Sequence, residues 1–255
     1  MEISALASGS SGNCFYIEHN NSAVLIDAGI SAKQIVERLC CLGKNPERIR
    51  AVFITHEHGD HTKGVDVFSR QFQVPIYVTK KTAKNCFLCS DERLLHFIKN
   101  NSAVDINGMR VEAFSKPHNC ADPVSYSISN DKKISIITDV GHASRNVTEN
   151  VSDSDFLAIE SNHDEIMLEN GPYPYFLKKW IMGNYGHLSN IQASLCVLEY
   201  APSKLKHIML SHLSKTNNTS KIALETFKIL KERKDLQPKI TVSGRETATP
   251  LFRVS

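Results

Sequence analysis

The sequence predicts an α/β (α+β) fold in which two packed β-sheets are covered by helices on both outer faces. Short runs of β-branched and aromatic residues alternate with helical patterns along most of the chain, and clusters of polar residues follow several of the strands. No repeat, low-complexity tract or long linker interrupts the 255 residues. We therefore expect a single domain that spans residues 1–255.

The predicted strands are short and rich in β-branched residues. Segment 51–55, with its Val-Phe-Ile core, has the pattern of a fully buried strand. Other strands are predicted at 3–6, 14–18, 24–27, 75–78, 109–114, 124–129, 133–138, 156–160, 207–210 and 240–242.

The predicted helices are recognised by apolar residues at helical spacing and by their end signals. Ser31 and Gln34 form a capping-box pattern at the start of the first helix, and Gly43 is placed to end it. Further helices are predicted at 65–72, 173–182, 190–200 and 219–231.

The composition is ordinary for a globular protein, with 41% hydrophobic and 22% charged residues. No apolar run is long enough to span a bilayer, and the N-terminus lacks the pattern of an export signal, so we expect a cytoplasmic protein without membrane contact. The formal charge of +3 permits a polyanionic partner without requiring one. The seven scattered cysteines are expected to be reduced, and Cys86 and Cys89, which lack a second pair, are interpreted as packing residues.

A hexapeptide that starts at His56 concentrates titratable side chains directly after a predicted buried strand. Residues two apart on an extended segment point the same way, so His56 and His58 can reach one cation. Gly59 is expected to let the backbone turn, which brings Asp60 and His61 to a second cation. The pattern predicts a two-metal site rather than a solvated, histidine-rich turn.

One short motif cannot fill two coordination spheres, so further ligands are expected downstream. Three candidates each follow or end a predicted strand: His118, Asp139 and His212. Singly, each has a plainer interpretation as a loop or turn residue. Their shared position at the carboxyl ends of strands favours ligands.

In this order the motifs resemble the metallo-β-lactamase superfamily over nearly the whole chain. The resemblance implies a four-layer αββα sandwich with the site at one edge of the two sheets. It also implies two divalent metal ions, zinc or manganese, with Asp139 bridging them. The ligand set that it implies is His56, His58 and His118 for one cation, and Asp60, His61 and His212 for the other.

Further segments are similar to the YycJ/WalJ-type branch of bacterial metal-dependent hydrolases. They are residues 8–13, 122–124, 138–141, 160–164, 186–190 and 211–214, with Asn217 and Asn218. This resemblance implies 5′→3′ exonuclease action on DNA. The Gly-His-Leu-Ser and Ser-His-Leu-Ser segments are also similar to the tRNA-processing ribonuclease Z group, in which a histidine matching His187 assists phosphodiester cleavage. Asn119-Cys120 departs from the acidic residue expected after the motif histidine.

The leading hypothesis is a phosphodiesterase that attacks phosphorus with a metal-bound hydroxide, whose parent water has its pKa lowered to about 7. The expected catalytic residues are Asp60, His187 and His163. For a leaving-group proton, His187 is the first candidate and His163 the second. The plainer interpretation of His187 is a residue that flanks a helix near Ser189.

Substrate contacts are expected in two regions. The glycine-rich loop could bind phosphate through Ser10, Ser11 and Asn13, although a simple hairpin turn explains it as well. Lysines of the later half could hold a nucleic-acid backbone or simply form a solvated face. The aromatic residues between His163 and His187 could stack bases or form the core and rim of a helical lid: Tyr173, Tyr175, Trp180 and Tyr185.

Two other functions remain open at this point. One is hydrolysis of a small thioester, lactone or cyclic phosphodiester on the same site, since a fold does not fix a substrate. The other is a non-catalytic sensing or scaffolding role. The expected ligands are all imidazole and carboxylate, without thiolate, which admits zinc, manganese or iron. The oligomeric state is not predicted.

Overall fold

A computed structural model describes residues 1–254 and contains two seven-stranded mixed β-sheets. In chain order the strands are β1 (Glu2–Ala7), β2 (Cys14–His19), β3 (Ser22–Ile26), β4 (Ile49–Phe53), β5 (Ile76–Thr79), β6 (Leu95–Ile98), β7 (Ala103–Ile106), β8 (Met109–Ser115), β9 (Val124–Ser129), β10 (Lys133–Ile137), β11 (Phe156–Glu160), β12 (His207–Ser211), β13 (Lys239–Val242) and β14 (Phe252–Arg253).

The two sheets repeat one plan. The first has the order β14-β1-β2-β3-β4-β5-β6 and the second the order β13-β12-β11-β10-β9-β8-β7. Each sheet begins as an antiparallel meander and continues with parallel strands, from β3 to β6 in the first and from β10 to β13 in the second. The parallel strands of each sheet therefore end at a common edge.

The helices follow the strands on the outer faces. They are α1 (Ala32–Cys41), α2 (Gly59–Thr62), α3 (Val65–Phe72), α4 (Lys80–Asn85), α5 (Arg145–Val151), α6 (Glu165–Asn170), α7 (Tyr175–Ile181), α8 (Asn190–Tyr200) and α9 (Ser220–Thr226), with short 3₁₀ helices at Pro46–Arg48, Glu92–Leu94 and Phe227–Glu232. None of the helices found in residues 1–254 has both the length and the apolar character needed to cross a bilayer.

Three apolar clusters define the layers, because alternate residues of each strand point to opposite faces. On β2, Phe15 and Ile17 pack between the sheets against Met109 and Tyr126, whereas Tyr16 faces the helices on the other side. The remaining two clusters place α1 and α3 on the first sheet, and α5, α8 and α9 on the second. This arrangement is the predicted αββα sandwich.

The sequence analysis did not predict several short or half-exposed elements, and the reasons can be identified. The edge strands β6, β7 and β14 were not predicted because their residues are largely half-exposed and lack a clear apolar pattern. The short helices α2, α4, α5 and α6 were also missed, since four to seven residues show too little periodicity. The predicted helix 219–231 is α9 followed by a 3₁₀ segment. The capping box of Ser31 and Gln34 is confirmed.

Candidate metal centre

The polar side chains predicted to act together gather where parallel strands of both sheets end. The motif that starts at His56 follows β4, whereas Asp139 follows β10 and His212 follows β12. His118 lies in the loop between β8 and β9. The first sheet therefore supplies one half of the cluster and the second sheet the other half.

One half contains three imidazoles. His56 Nε2 lies 3.1 Å from His58 Nδ1. The ring of His118 is centred 5.1 Å from that of His56 and 5.3 Å from that of His58. His56 and His118 are buried, and His58 is partly exposed.

The other half contains Asp60, His61 and His212. Asp60 Oδ2 lies 3.5 Å from His61 Nε2 and 3.7 Å from His212 Nε2. The turn that brings Asp60 and His61 there is the first turn of α2. Gly59 begins this helix without a positive φ, and a Cβ on it would meet no other atom within 4 Å, so the expectation that glycine makes the turn possible is wrong.

Asp139 lies between the two halves. Its carboxylate approaches His61 Nε2 at 3.2 Å, His212 Nε2 at 3.5 Å and His118 Nε2 at 3.9 Å. Asp139 and His212 both adopt left-handed backbone conformations, with φ of 57° and 54°. Non-glycine residues rarely do so, and such strain is typical of functional sites.

Three buried atoms at the centre have no hydrogen-bond partner in the described structure: His118 Nε2, Asp139 Oδ2 and His212 Nε2. Leaving a buried polar atom unpaired costs about 1–3 kcal/mol. Cations placed between these atoms would satisfy all three, and imidazole nitrogens and carboxylate oxygens are suitable donors for zinc or manganese. The residues present therefore fit divalent metal ions.

Hydrogen bonds through Nδ1 fix the orientations of three histidines, two of which, His118 and His212, keep Nε2 without a partner in the described structure. The Nδ1 atom of His61 donates to Asp27 Oδ2 at 2.7 Å, and that of His118 donates to the Gly186 carbonyl at 3.1 Å. His212 Nδ1 donates to Glu160 Oε1 at 2.8 Å. Such partners set the tautomer and aim of metal-binding histidines.

Sequence reasoning missed Asp27 and Glu160. Both residues are buried and lie at the carboxyl end of a strand, so the rule that identified Asp139 applies to them as well. Thr55 was also missed: its hydroxyl donates to Asp27 Oδ2 at 2.9 Å and lies 2.9 Å from His56 Nδ1.

The charges of the two halves differ. Burial lowers the pKa of His118 to about 4 and that of His56 well below its usual value. Burial would also lower the pKa of His212, but the nearby carboxylates of Asp139, Asp60 and Glu160 raise it to about 10. The carboxylates therefore favour binding of a cation in the half that contains Asp60, His61 and His212.

A thiol that the sequence analysis did not include among the candidate ligands also lies at the centre, and burial raises its pKa to about 12. Cys120 Sγ is 3.4 Å from His58 Nε2. It falls within 4.8 Å of potential ligand atoms on His56, His58 and His118. The signal in the sequence was the departure from the family pattern after His118.

The two candidate proton donors occupy different positions. His187 Nδ1 donates to Glu160 Oε1 at 2.8 Å, and its ring is centred 5.2 Å from that of His118 and 5.3 Å from that of His212. His163 is buried, and it lines a side cavity of about 430 Å³ with residues of α6, α7 and α8. Burial lowers the pKa of His163 to about 4.

Only part of the glycine-rich loop, residues 8–13, contacts the candidate metal ligands. Asn13 is buried, and its Nδ2 donates to Asp60 Oδ2 at 3.3 Å and lies 3.1 Å from His61 Nε2. Ser10 and Ser11 are exposed at the tip of the loop. Asn13 therefore belongs to the cluster, whereas nothing in the structure connects the two serines with it.

Helix α7 presents aromatic residues and lysines beside the centre. Trp180 has its ring centred 6.3 Å from that of His118 and 5.7 Å from that of His187. Tyr175, Phe176 and Tyr185 are 72%, 74% and 62% exposed, which excludes an interpretation of these three as core residues. The Lys179 ammonium lies 5.2 Å from the centre of the Tyr175 ring.

Comparison with known proteins agrees with this geometry. Residues 7–141 match the metallo-beta-lactamase superfamily. The chain is 34% identical over 263 residues to exodeoxyribonuclease WalJ of Streptococcus pneumoniae serotype 2 (strain D39 / NCTC 7466), covering 99% of this chain and 98% of that one. Exodeoxyribonuclease YycJ of Bacillus anthracis is 33% identical over 238 residues, with 91% and 90% covered.

Among solved structures, the metallo-beta-lactamase fold protein YhfI of Bacillus subtilis is similar with a TM-score of 0.73 at 11% identity, covering 97% of this chain and 98% of that one. At that identity the likeness shows the fold alone. The family match and the two nearly full-length relatives carry the assignment further. The chain belongs to the metallo-beta-lactamase superfamily, in the branch that includes WalJ and YycJ, and is a metal-dependent hydrolase.

Proposed function

We propose that the protein is a DNA exonuclease that cleaves phosphodiesters from the 5′ end at a centre of two divalent cations, zinc or manganese. Its ligands are those that the family resemblance implies, with Asp139 between the cations: His56, His58 and His118 on one side, and Asp60, His61 and His212 on the other. The geometry supports this assignment through the three unpaired buried atoms that face one another.

The observation that carries the choice of substrate is the exposed surface of α7 beside the centre. Trp180 lies next to His187, and Tyr175 and Phe176 continue the apolar surface along the helix. Base stacking on aromatic side chains holds single strands with little sequence preference, and lysines attract the phosphate backbone. The two relatives named exodeoxyribonucleases support the same substrate class.

The cations, when bound, would supply an activated water and neutralise charge on the phosphate. The Nδ1–H of His187 is held by Glu160, so the imidazolium form of His187 can give its Nε2 proton to the leaving oxygen and become neutral. Glu160 also aligns His212, so one carboxylate positions both the proton donor and a ligand. Asn13 restrains Asp60.

His163 has a different role in this proposal. Its backbone pairs with Ser189 and its carbonyl accepts from Asn190 N at 2.8 Å, which ties the start of α8 to the end of β11. Its lowered pKa leaves the imidazole neutral near pH 7. We assign the proton transfer to His187 alone and a positioning role to His163.

The second candidate function is hydrolysis of a small thioester, lactone or cyclic phosphodiester. The side cavity of about 430 Å³ near His163 favours it, because pockets of about 300–1,000 Å³ hold small ligands. The scaffolding alternative has no support, since the chain belongs to a hydrolytic superfamily. A cytoplasmic location remains a prediction from the sequence.

The test is digestion of DNA labelled at either end, as single strand and as duplex, with Mn²⁺ or Zn²⁺. We expect progressive shortening from the 5′ end. The Asp139→Asn variant should be inactive, and a His96→Ala variant, which removes an exposed histidine on the edge strand β6, should retain activity. Rapid hydrolysis of a small ester with no shortening of either strand would favour the second candidate.

A further inference from the structure

Cys120 occupies a position in the metal centre that is built into the fold. Three consecutive backbone amides of its loop are bound: Asn119 N donates to Tyr185 O at 3.1 Å, Cys120 N to His118 O at 2.9 Å and Ala121 N to Glu57 Oε1 at 2.7 Å. Glu57 lies between His56 and His58 in the motif. The hydrogen bond to its carboxylate therefore holds the loop that carries Cys120 next to the motif.

A second observation marks this place as a ligand site. His118 is 4% exposed, its Nδ1 is used by Gly186 O, and its Nε2 has no partner in the described structure. This nitrogen belongs to the same group of potential ligand atoms as Cys120 Sγ. The group thus holds three imidazoles, of which one is buried with an unpaired nitrogen, and a thiol.

The spacing of the group is close to that of ligands around one zinc ion. With Zn–N of about 2.0–2.1 Å and Zn–S of about 2.3 Å, the edge between nitrogen and sulfur is about 3.5 Å and that between two nitrogens about 3.3 Å. Measured to Nδ1, the His58 nitrogen that faces His56, Cys120 Sγ lies at 3.9 Å, about 0.4 Å longer than the first value. His56 Nε2 and His58 Nδ1 are 3.1 Å apart, close to the second.

We propose that the Cys120 thiolate joins His56, His58, His118 and the bridging Asp139 as a ligand of the cation on that side, and that it makes this half of the centre selective for zinc over manganese. The inference rests on the proposed metal ligands. As the bond from Sγ to the cation forms, the thiol proton passes to solvent.

The selectivity follows from ligand chemistry. Thiolate is a soft donor that binds zinc strongly, whereas carboxylate suits manganese. The other half of the centre holds Asp60, His61, His212 and the Asp139 carboxylate, without sulfur. The two halves therefore differ, and a mixed pair with zinc on the Cys120 side is the preferred occupancy.

Cobalt(II) reports the bond directly, because a thiolate ligand gives an intense charge-transfer band in the near ultraviolet. We expect this band when the metal-free full-length protein is titrated with cobalt, its loss in Cys120→Ser, and its retention in Cys40→Ser, which alters an exposed cysteine on α1. Equilibrium dialysis against zinc and manganese should show at least a tenfold drop in zinc preference in Cys120→Ser.

A second measurement needs only the unaltered protein. Zinc should slow alkylation of Cys120 by iodoacetamide, followed by peptide mass mapping, whereas manganese should not, and exposed Cys40 should react equally under all conditions. No charge-transfer band, or a band unchanged in Cys120→Ser, overturns the proposal, as does alkylation of Cys120 that zinc leaves unchanged. These readouts are independent of nuclease activity, so a protein that fails to digest DNA but shows the band contradicts only the proposed substrate.

Discussion

Asp27 Oδ2 accepts a hydrogen bond from His61 Nδ1 at 2.7 Å, and both side chains are almost completely buried. Asp27 has a left-handed backbone with φ of 61°. Its carboxylate also accepts from the Thr55 amide at 2.8 Å, where β4 gives way to the motif. Asp27, which follows β3, therefore positions both the backbone where the motif begins and the imidazole ring of His61 where it ends.

The variant Asp27→Asn tests this role. Asparagine tolerates the left-handed conformation, so the fold should persist, but the bond to His61 is weakened. We expect a 10–100-fold loss of metal affinity in the half that contains His61, measured by competition with a chelator. Asp66→Asn, which alters an exposed ion pair with Arg70, is the control. Equal losses in both variants would contradict a specific role of Asp27.

The variant His187→Ala tests the proton donor. General acid catalysis typically contributes about 10²–10⁴-fold, so kcat on DNA should fall by that factor while metal content is unchanged. A substrate whose leaving group is a nitrophenolate needs little protonation, and its hydrolysis should fall far less. Equal losses on both substrates would assign His187 a structural role instead.

The variant Trp180→Ala tests the stacking surface on α7. Stacking of one base is worth about 1–3 kcal/mol, so KM for single-stranded DNA should rise roughly 5- to 150-fold with little change in kcat. Hydrolysis of a small phosphodiester without a base should be unaffected. Phe97→Ala, which removes an exposed aromatic ring on β6, is the matched control. A KM unchanged in Trp180→Ala would remove the observation on which the choice of substrate depends.

A cluster of charges remote from the centre predicts how stability depends on pH. Glu18 pairs with Lys44 and with Arg48 at 3.0 Å. Burial opposes ionisation of Glu18, but its hydrogen bonds to Lys44 and Arg48 outweigh burial and lower its pKa. Because the unfolded chain then binds the proton more tightly, the stabilisation is present above the usual carboxyl pKa and disappears as the pH falls.

The variant Glu18→Gln should therefore reduce the free energy of unfolding by about 1 kcal/mol at neutral pH and by progressively less as the pH falls below the usual carboxyl pKa. Urea unfolding of both proteins at pH 7 and at pH 3 measures the difference. A deficit that stays constant across this range would mean that packing, rather than charge, holds this side chain.

The residues of the cluster could be predicted from the sequence because they follow strands with a clear apolar core. Asp139 follows an alternating run of isoleucines, and His56 follows segment 51–55, which is wholly buried. Asp27 and Glu160 lie in equivalent places, but a single acidic residue at a strand end has the same pattern as an ordinary turn. The pattern alone does not distinguish them.

Cys120 was beyond the reach of local patterns for a different reason. It is 62 residues from His58 in the chain, and their proximity depends on the loop after β8 folding back over the motif. The backbone bonds of Asn119 and Ala121 that hold this loop involve partners far away in sequence. The periodicity of apolar residues indicates which face of a helix or strand is buried. It does not indicate which loops contact each other in the folded protein.

The division of the candidate ligands between two sheets has a consequence for folding thermodynamics. His56, His58, Asp60 and His61 follow the first sheet, whereas His118, Asp139 and His212 belong to the second. Cations bound by both sets would act as cross-links between the two sheets, formed only when both have folded. At 100 times its Kd, one such ion stabilises the native state by about 2.7 kcal/mol. Metal binding at the centre would then stabilise the packing of the two sheets against each other, and removal of the cations by a chelator would lower the melting temperature of the whole protein.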